Sequence, residues 1–323
     1  MGEILLEVSE LKKYFYSPKG TVYAVDGVTF QVERGKTLGI VGESGCGKST
    51  TGRVIMQLLD TTSGVVKFHG MDITHLKGKE LKDLRKKIQI IFQDPFSSLN
   101  PRMTVSQLIA EPIKMNHLLS GKEQIEARVL ALMDTVGLAD RLYNTYPHEL
   151  DGGRRQRIGI ARALAMEPEL IVCDEPVSAL DVSIQAQILN LLKDLQTQLG
   201  LTYLFITHNL SVINHFADDI AVMYLGSLVE KAPVDELFEN PMHPYTQALL
   251  SSIPVPDLTV KKQEIKIKGE ITSPIDLPEE CRFFQRCPYA EPTCKNGIPE
   301  LREQKPGHFV SCRHIQCGGV YHV

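Results

Sequence analysis

The run Leu38-Gly39-Ile40-Val41-Gly42-Glu43-Ser44-Gly45-Cys46-Gly47-Lys48-Ser49 limits the folds open to this chain more than any other segment. Leu38–Val41 reads as a short buried strand, the glycines after it suit a tight loop, and a helix should begin near Lys48. A strand feeding a helix through such a loop belongs to a mainly parallel sheet flanked by helices. All fixed positions of the GxxxxGK[ST] phosphate loop are filled. Glycines within 42–47 let consecutive N–H groups, those of Glu43, Ser44, Gly45 and Cys46 included, turn toward phosphate oxygens. The helix that carries Thr50 aims its N-terminus at the same anion. Lys48 then supplies a point charge for the β- and γ-phosphates, and Ser49 a hydroxyl for Mg²⁺. ATP with Mg²⁺ is the expected ligand.

Two other segments supply hydrolytic chemistry. Leu170-Ile171-Val172-Cys173 is a buried strand that ends in Asp174 and Glu175. A carboxylate at Asp174 can hold Mg²⁺ directly or through water, and Glu175 is placed to act as general base on the attacking water. Before it, Leu150-Asp151-Gly152-Gly153-Arg154-Arg155-Gln156-Arg157 is a paired glycine opening a basic helix. Gln93 closes the strand over 88–92, and His208 follows the strand Tyr203-Leu204-Phe205-Ile206-Thr207.

The rest of the chain completes the architecture. Residues 1–41 alternate apolar and polar positions, with turns at 17–20 and 34–36, and read as antiparallel strands. From about 104 to 165 the period is helical. Strands are expected at 170–174, 202–206 and 220–224. A helix at 182–199 carries Ile184, Ile188, Leu191, Leu192, Leu195 and Leu199 on one face, with Gly200 to stop it. After 230 prolines recur, Pro254 and Pro256 among them, and an irregular extension is expected. The expected fold class is therefore α/β: a phosphate-loop NTPase core of mainly parallel sheet with an antiparallel β subdomain, a helical insertion and an irregular C-terminal extension, expected to be metal-binding if its cysteines act as ligands.

Composition narrows the function. The 323 residues are 43% apolar and 23% charged with a net charge of −4, so no basic footprint for nucleic acid is present. No window approaches the roughly 18 apolar residues of a membrane span, and the start lacks the basic and apolar regions of a secretory signal. The expected location is the cytoplasm, with membrane contact made through partners. Of seven cysteines, Cys46 and Cys173 lie inside other motifs. Cys281, Cys287, Cys294 and Cys312 are separated by five, six and seventeen residues, with Cys317 left over. In a reducing compartment such a cluster points to metal rather than disulfides. Spacing alone leaves iron–sulfur, zinc and free thiols open.

In order and spacing these motifs resemble the ATPase subunit of an ATP-binding-cassette transporter. The resemblance implies that Gln93 contacts Mg²⁺ and water, that His208 contacts the γ-phosphate, and that Phe15 best matches the aromatic stacked on adenine. Tyr14, Tyr16 and Tyr23 are substitutes for Phe15. It further implies that two cassettes close head to tail, so that Leu150, Asp151, Gly152, Gly153 and Arg154 serve the phosphate loop of a second ATPase subunit, identical or not. Asp181, within Ser178-Ala179-Leu180-Asp181, would cross that interface. Against the family's LSGGQ pattern this chain has Asp151 for Ser and Arg154 for Gln. Asp is a good helix cap, yet like charges 4 Å apart cost about 4 kcal/mol at an effective dielectric near 20. A weakened composite site is expected unless Arg154 and Arg155 offset the charge or the carboxylate turns back to its own helix.

His243-Pro244-Tyr245-Thr246, Ser251-Ser252-Ile253-Pro254, Cys281-Arg282-Phe283 and Cys287-Pro288 resemble the C-terminal extension of dipeptide and oligopeptide importer ATPases. That implies an importer motor at the cytoplasmic face of the membrane, working with two permease subunits and, indirectly, an extracytoplasmic binding protein. It also implies a [4Fe–4S] cluster on Cys281, Cys287, Cys294 and Cys312, with His308, His314 or Cys317 able to replace a ligand. Nickel and oligosaccharide stand as alternative cargoes, and a soluble cassette with a redox-sensing cluster as an alternative function. The expected division is 1–94 with 166–230 as ATP-binding core, 95–165 as helical subdomain and 231–323 as extension.

Overall fold

The computed structural model describes residues 2–253, 265, 267–269 and 273–315. Cys317, Pro254 and Pro256 lie outside the described residues. In chain order the first elements are β1 (Ile4–Ser17), β2 (Gly20–Glu33), β3 (Thr37–Val41), α1 (Lys48–Ile55), β4 (Ser63–Phe68) and β5 (Met71–Asp72). There follow α2 (Gly78–Lys87), β6 (Ile88–Ile91), α3 (Val105–Met115), α4 (Lys122–Thr135), α5 (Gly152–Leu164), β7 (Leu170–Asp174), α6 (Val182–Leu199) and β8 (Thr202–Thr207). The last are α7 (Leu210–Asn214), β9 (Asp219–Tyr224), β10 (Ser227–Pro233), α8 (Val234–Glu239), α9 (Pro244–Ser251), β11 (Arg302–Lys305) and β12 (His308–Val310). The chain divides into two compact units, Met1–His75 with Ile206–Val323, and Leu76–Phe205.

The first unit holds an antiparallel sheet in the order β2-β1-β4-β5. Its hairpin turns at Pro18-Lys19, with Ser17 paired to Gly20, where the turn residues stand in the sequence. Leu6, Val8, Leu11, Val28, Phe30 and Phe68 bury one face, as period-2 patterning requires. The same unit holds strands in the order β11-β12-β10-β9-β3. β3 runs parallel to β9, and its five residues are all buried, which explains why it is a continuous apolar run rather than an alternating one.

The C-terminal segment is less irregular than its prolines suggest. β12 pairs antiparallel with β10, and β11 with β12. All four residues of β11, Arg302-Glu303-Gln304-Lys305, are exposed. A charged edge strand of this kind discourages further pairing and carries no apolar alternation for a sequence reading to detect. The hairpin is fastened by Glu230, wholly buried on β10, which accepts the N–H groups of Met242 (2.6 Å) and His243 (3.0 Å) and faces His308 Nε2 at 2.7 Å.

In the second unit β6 and β7 run parallel within the order β8-β7-β6. α3 opens with a capping box: Thr104 Oγ1 accepts the Gln107 N–H, and Gln107 Oε1 accepts the Thr104 N–H. α6 spans 182–199 as the apolar stripe predicts, and Gly200 ends it with φ 65°. Ile188, Leu192 and Leu195 are buried, whereas Leu199 in the last turn is 54% exposed, so the stripe leaves the core before the helix ends. Among the described residues no helix is long and apolar enough to cross a membrane.

Candidate nucleotide site

The phosphate loop leaves β3 and enters α1 within the first unit. Gly47 has φ 103°, and a Cβ there would strike the Ala24 carbonyl oxygen, so both conformation and space demand glycine. α1 starts at Lys48 after Gly47, a cap with no side-chain hydrogen bond, so the loop runs into a helix N-terminus of the kind that binds anions. Lys48 is 4% exposed, and its Nζ donates to the carbonyls of Gly42 (2.8 Å) and Glu43 (2.9 Å). A cation is thus drawn back over the loop, where a phosphate chain would lie. Thr51 ties the first turn to the loop, its N–H and hydroxyl both donating to the Gly47 carbonyl. Cys46 is buried, and burial raises its thiol pKa, so it fills space rather than reacting. Ser44 and Gly45 are exposed, and Ser49 and Thr50 are half-buried.

Two contacts to this loop come from far along the chain and carry no signal in local sequence. The Glu43 N–H donates to the Tyr245 hydroxyl at 2.9 Å. The Glu43 carboxylate is held by both terminal nitrogens of Arg286, at 2.7 and 3.1 Å. Tyr245 stands on α9, which His243 caps through ring Nδ1, accepting the Tyr245 N–H at 3.1 Å. Burial drives the His243 pKa down to about 3 and keeps that nitrogen an acceptor.

His208, also in the first unit, is exposed just after β8. Phe15 on β1 is 39% exposed, with Lys13 Nζ 5.0 Å from its ring centre. Tyr14 is committed elsewhere: its hydroxyl donates to Asp26 at 2.6 Å and its ring meets Tyr23 edge-on at 4.8 Å. Tyr16 is 76% exposed.

In the second unit Asp174, 2% exposed, ends β7 and Glu175 follows at φ 50°. The left-handed region is uncommon for a residue with a side chain and recurs at functional sites. Gln93 Nε2 donates to Glu175 Oε2 at 3.0 Å, so two residues 82 apart in sequence meet at the strand ends. Ser178 and Leu180 close a tight turn on the carbonyls of Glu175 and Val177, and Asp181 stays exposed at the start of α6. Leu150 is buried. Asp151 is the N-cap of α5: its Oδ1 accepts the Arg154 N–H at 2.8 Å, and Oδ2 lies 3.5 Å from Arg154 Nε. The carboxylate has turned back to its own helix. Arg155 does not help to neutralise it, because it donates to the Pro147 carbonyl at 2.6 Å and stacks on Phe96. A Cβ at Gly153 would lie 2.7 Å from Ile184 on α6, so that glycine is set by close packing.

Cys281, Cys287, Cys294 and Cys312 line one cavity, with His314 also on its wall. Burial pushes the Cys281 thiol up to about 11. Among the described residues no group of three or more His, Cys, Asp or Glu side chains is arranged to hold a metal ion.

Comparison with known proteins agrees with this geometry. The family described as ABC transporter matches residues 25–178, and that described as Oligopeptide/dipeptide transporter, C-terminal region, matches residues 229–294. The oligopeptide transport ATP-binding protein AppF of Bacillus subtilis (strain 168) is 52% identical over 320 residues, covering 96% of this chain and 97% of that one. The dipeptide transport ATP-binding protein DppF of Haemophilus influenzae is 47% identical over 317 residues, covering 96% and 97%. Among solved structures, the dimeric post-hydrolysis state of the ATP-binding cassette MJ0796 bound to ADP and Pi is similar at a TM-score of 0.66. It is 29% identical and covers 71% of this chain and 99% of that one. A phosphate loop on a strand-to-helix turn, a strand ending in two carboxylates, and relatives matched over nearly their whole length place this chain in the ABC transporter family, as one of its ATP-hydrolysing subunits.

Proposed function

We propose that this ATPase powers import of oligopeptides or dipeptides, as the names of its relatives describe for those proteins. Lys48 and the N–H groups of 44–50 hold the ATP phosphates, while the Glu43 N–H, expected from sequence to join them, is engaged by the Tyr245 hydroxyl. Phe15 stacks on adenine, and Ser49, Gln93 and Asp174 hold Mg²⁺. Glu175 takes the proton of the attacking water, and His208 contacts the γ-phosphate. Residues 150–154 and Asp181 serve the site of a second ATPase subunit, and the self-satisfied Asp151 presents its helix start without a free carboxylate. The observation that carries the hydrolytic reading is the Gln93–Glu175 hydrogen bond of 3.0 Å at the end of β7. The working division is 1–94 with 166–230, 95–165 and 231–323. The assembly sits at the cytoplasmic face of a membrane with two permease subunits and takes cargo from an extracytoplasmic binding protein. The test is uptake of a labelled oligopeptide into proteoliposomes that carry the cognate permeases and both ATPase chains. ATP-dependent accumulation is expected, and uptake of nickel or an oligosaccharide instead would reassign the cargo.

We further propose a [4Fe–4S] cluster held by Cys281, Cys287, Cys294 and Cys312, which line one cavity. Cys281 interacts electrostatically with Cys294, Cys312 and Cys287, which supports grouping the four. Such a cluster supplies a rigid cross-link and a redox centre. Anaerobically purified protein is expected to contain iron and acid-labile sulfide, about four irons per chain. Zinc without iron would remove this part of the proposal.

A further inference from the structure

The loop between Cys281 and Cys287 reaches the phosphate-binding region through the arginines at its two ends, Arg282 and Arg286. Arg286 grips the Glu43 carboxylate with both terminal nitrogens and lies 3.4 Å from the Tyr224 hydroxyl. The two side chains are 9% and 22% exposed, so this is a largely desolvated, bidentate pair. Arg282 pairs with Asp26, two residues beyond the Ala24 carbonyl that abuts Gly47. Phe283, between the two arginines, is 1% exposed and packs against Tyr224, Tyr245 and His243. Tyr245 in turn accepts the Glu43 N–H.

Glu43 poses an electrostatic problem that these contacts solve. It occupies the first variable position of a loop built to surround a polyanion, and an unpaired carboxylate there would repel the phosphates. We propose that Arg286 and Tyr245 are positioning residues for ATP: they hold Glu43 aside by its carboxylate and its N–H, neutralise its charge, and so set the nucleotide affinity of the phosphate loop. Neither residue touches the nucleotide in this account. Both act through Glu43, whatever the four thiols hold.

This arrangement predicts a rescue that mere structural support would not. Titration calorimetry with MgADP on the full chain reads the phosphate loop without requiring a second subunit. Arg286→Gln is expected to weaken MgADP binding about tenfold, equivalent to about 1.4 kcal/mol. Adding Glu43→Gln removes the charge that Arg286 had to neutralise, so the double variant should return to within about threefold of the natural chain. Arg286→Lys, which keeps the charge but not the fork, should fall between them. Tyr245→Phe removes only the hydroxyl and should weaken binding about threefold, with the nucleotide-free melting temperature within a few degrees of the natural chain. Unchanged affinity in Arg286→Gln, or a double variant as weak as the single one, would overturn the proposal. Should Arg286→Gln not fold, unchanged affinity in Tyr245→Phe would overturn it equally.

Discussion

Glu175→Gln is expected to lower ATP turnover by about two to four orders of magnitude while leaving MgATP bound. Glutamine matches glutamate in size, and its carbonyl oxygen can still accept the Gln93 amide hydrogen that now reaches Glu175 Oε2 at 3.0 Å. It cannot take a proton from water. In the proposed site the exchange also removes a negative charge beside the γ-phosphate, so nucleotide affinity should hold or rise. The effect therefore belongs in kcat rather than KM, and a single-turnover assay that follows release of phosphate separates the two. A variant that hydrolysed ATP at the natural rate would show that the proton goes elsewhere.

The second large effect lies in stability. Glu230→Ala should cost about 3–5 kcal/mol, because it strips the partner from a buried ionic group. Glu230 and His308 are both fully buried, and their contact measures 2.7 Å. The same carboxylate accepts the N–H groups of Met242 and His243, so alanine would also leave two backbone donors without an acceptor. Urea denaturation of the two proteins gives the difference.

This pair also fixes a pH dependence. Burial alone would lower the His308 pKa, but Glu230 and then Glu236 outweigh it and hold it above 6.5. A raised folded-state pKa means that the stabilisation is complete below about pH 6.5 and fades as pH climbs through the folded value. The melting temperature of the natural chain should accordingly fall on the alkaline side of that range. His308→Asn should flatten this slope, and an unaltered slope would assign it to other groups.

Much of the cassette could be read directly because its determinants are local. Leu38–Ser49 carries strand, turn and helix start within one short stretch, and the structure places α1 at Lys48. The apolar stripe and Gly200 delimit α6 to the residue. The rest depended on distance or on chemistry with two readings. Arg286 and Glu43 lie 243 positions apart, and no periodicity or motif links them. β11 is a strand of four polar residues, so pairing with β12 rather than its own pattern creates it. Asp151 could be read as a misplaced charge or as a helix cap, and only its hydrogen bond to the Arg154 N–H decides between them. Phe15 is the best match to the adenine aromatic with the neighbouring tyrosines as substitutes, and of these Tyr14 is occupied with Asp26 and Tyr23.

The most direct test of the account is analytical ultracentrifugation of the Glu175→Gln chain with its partner ATPase, with and without saturating MgATP. Nucleotide held between two facing cassettes predicts a two-chain species that forms only when MgATP is present and disperses when it is removed. Separate chains at every MgATP concentration would contradict the shared-site mechanism on which the proposed motor depends.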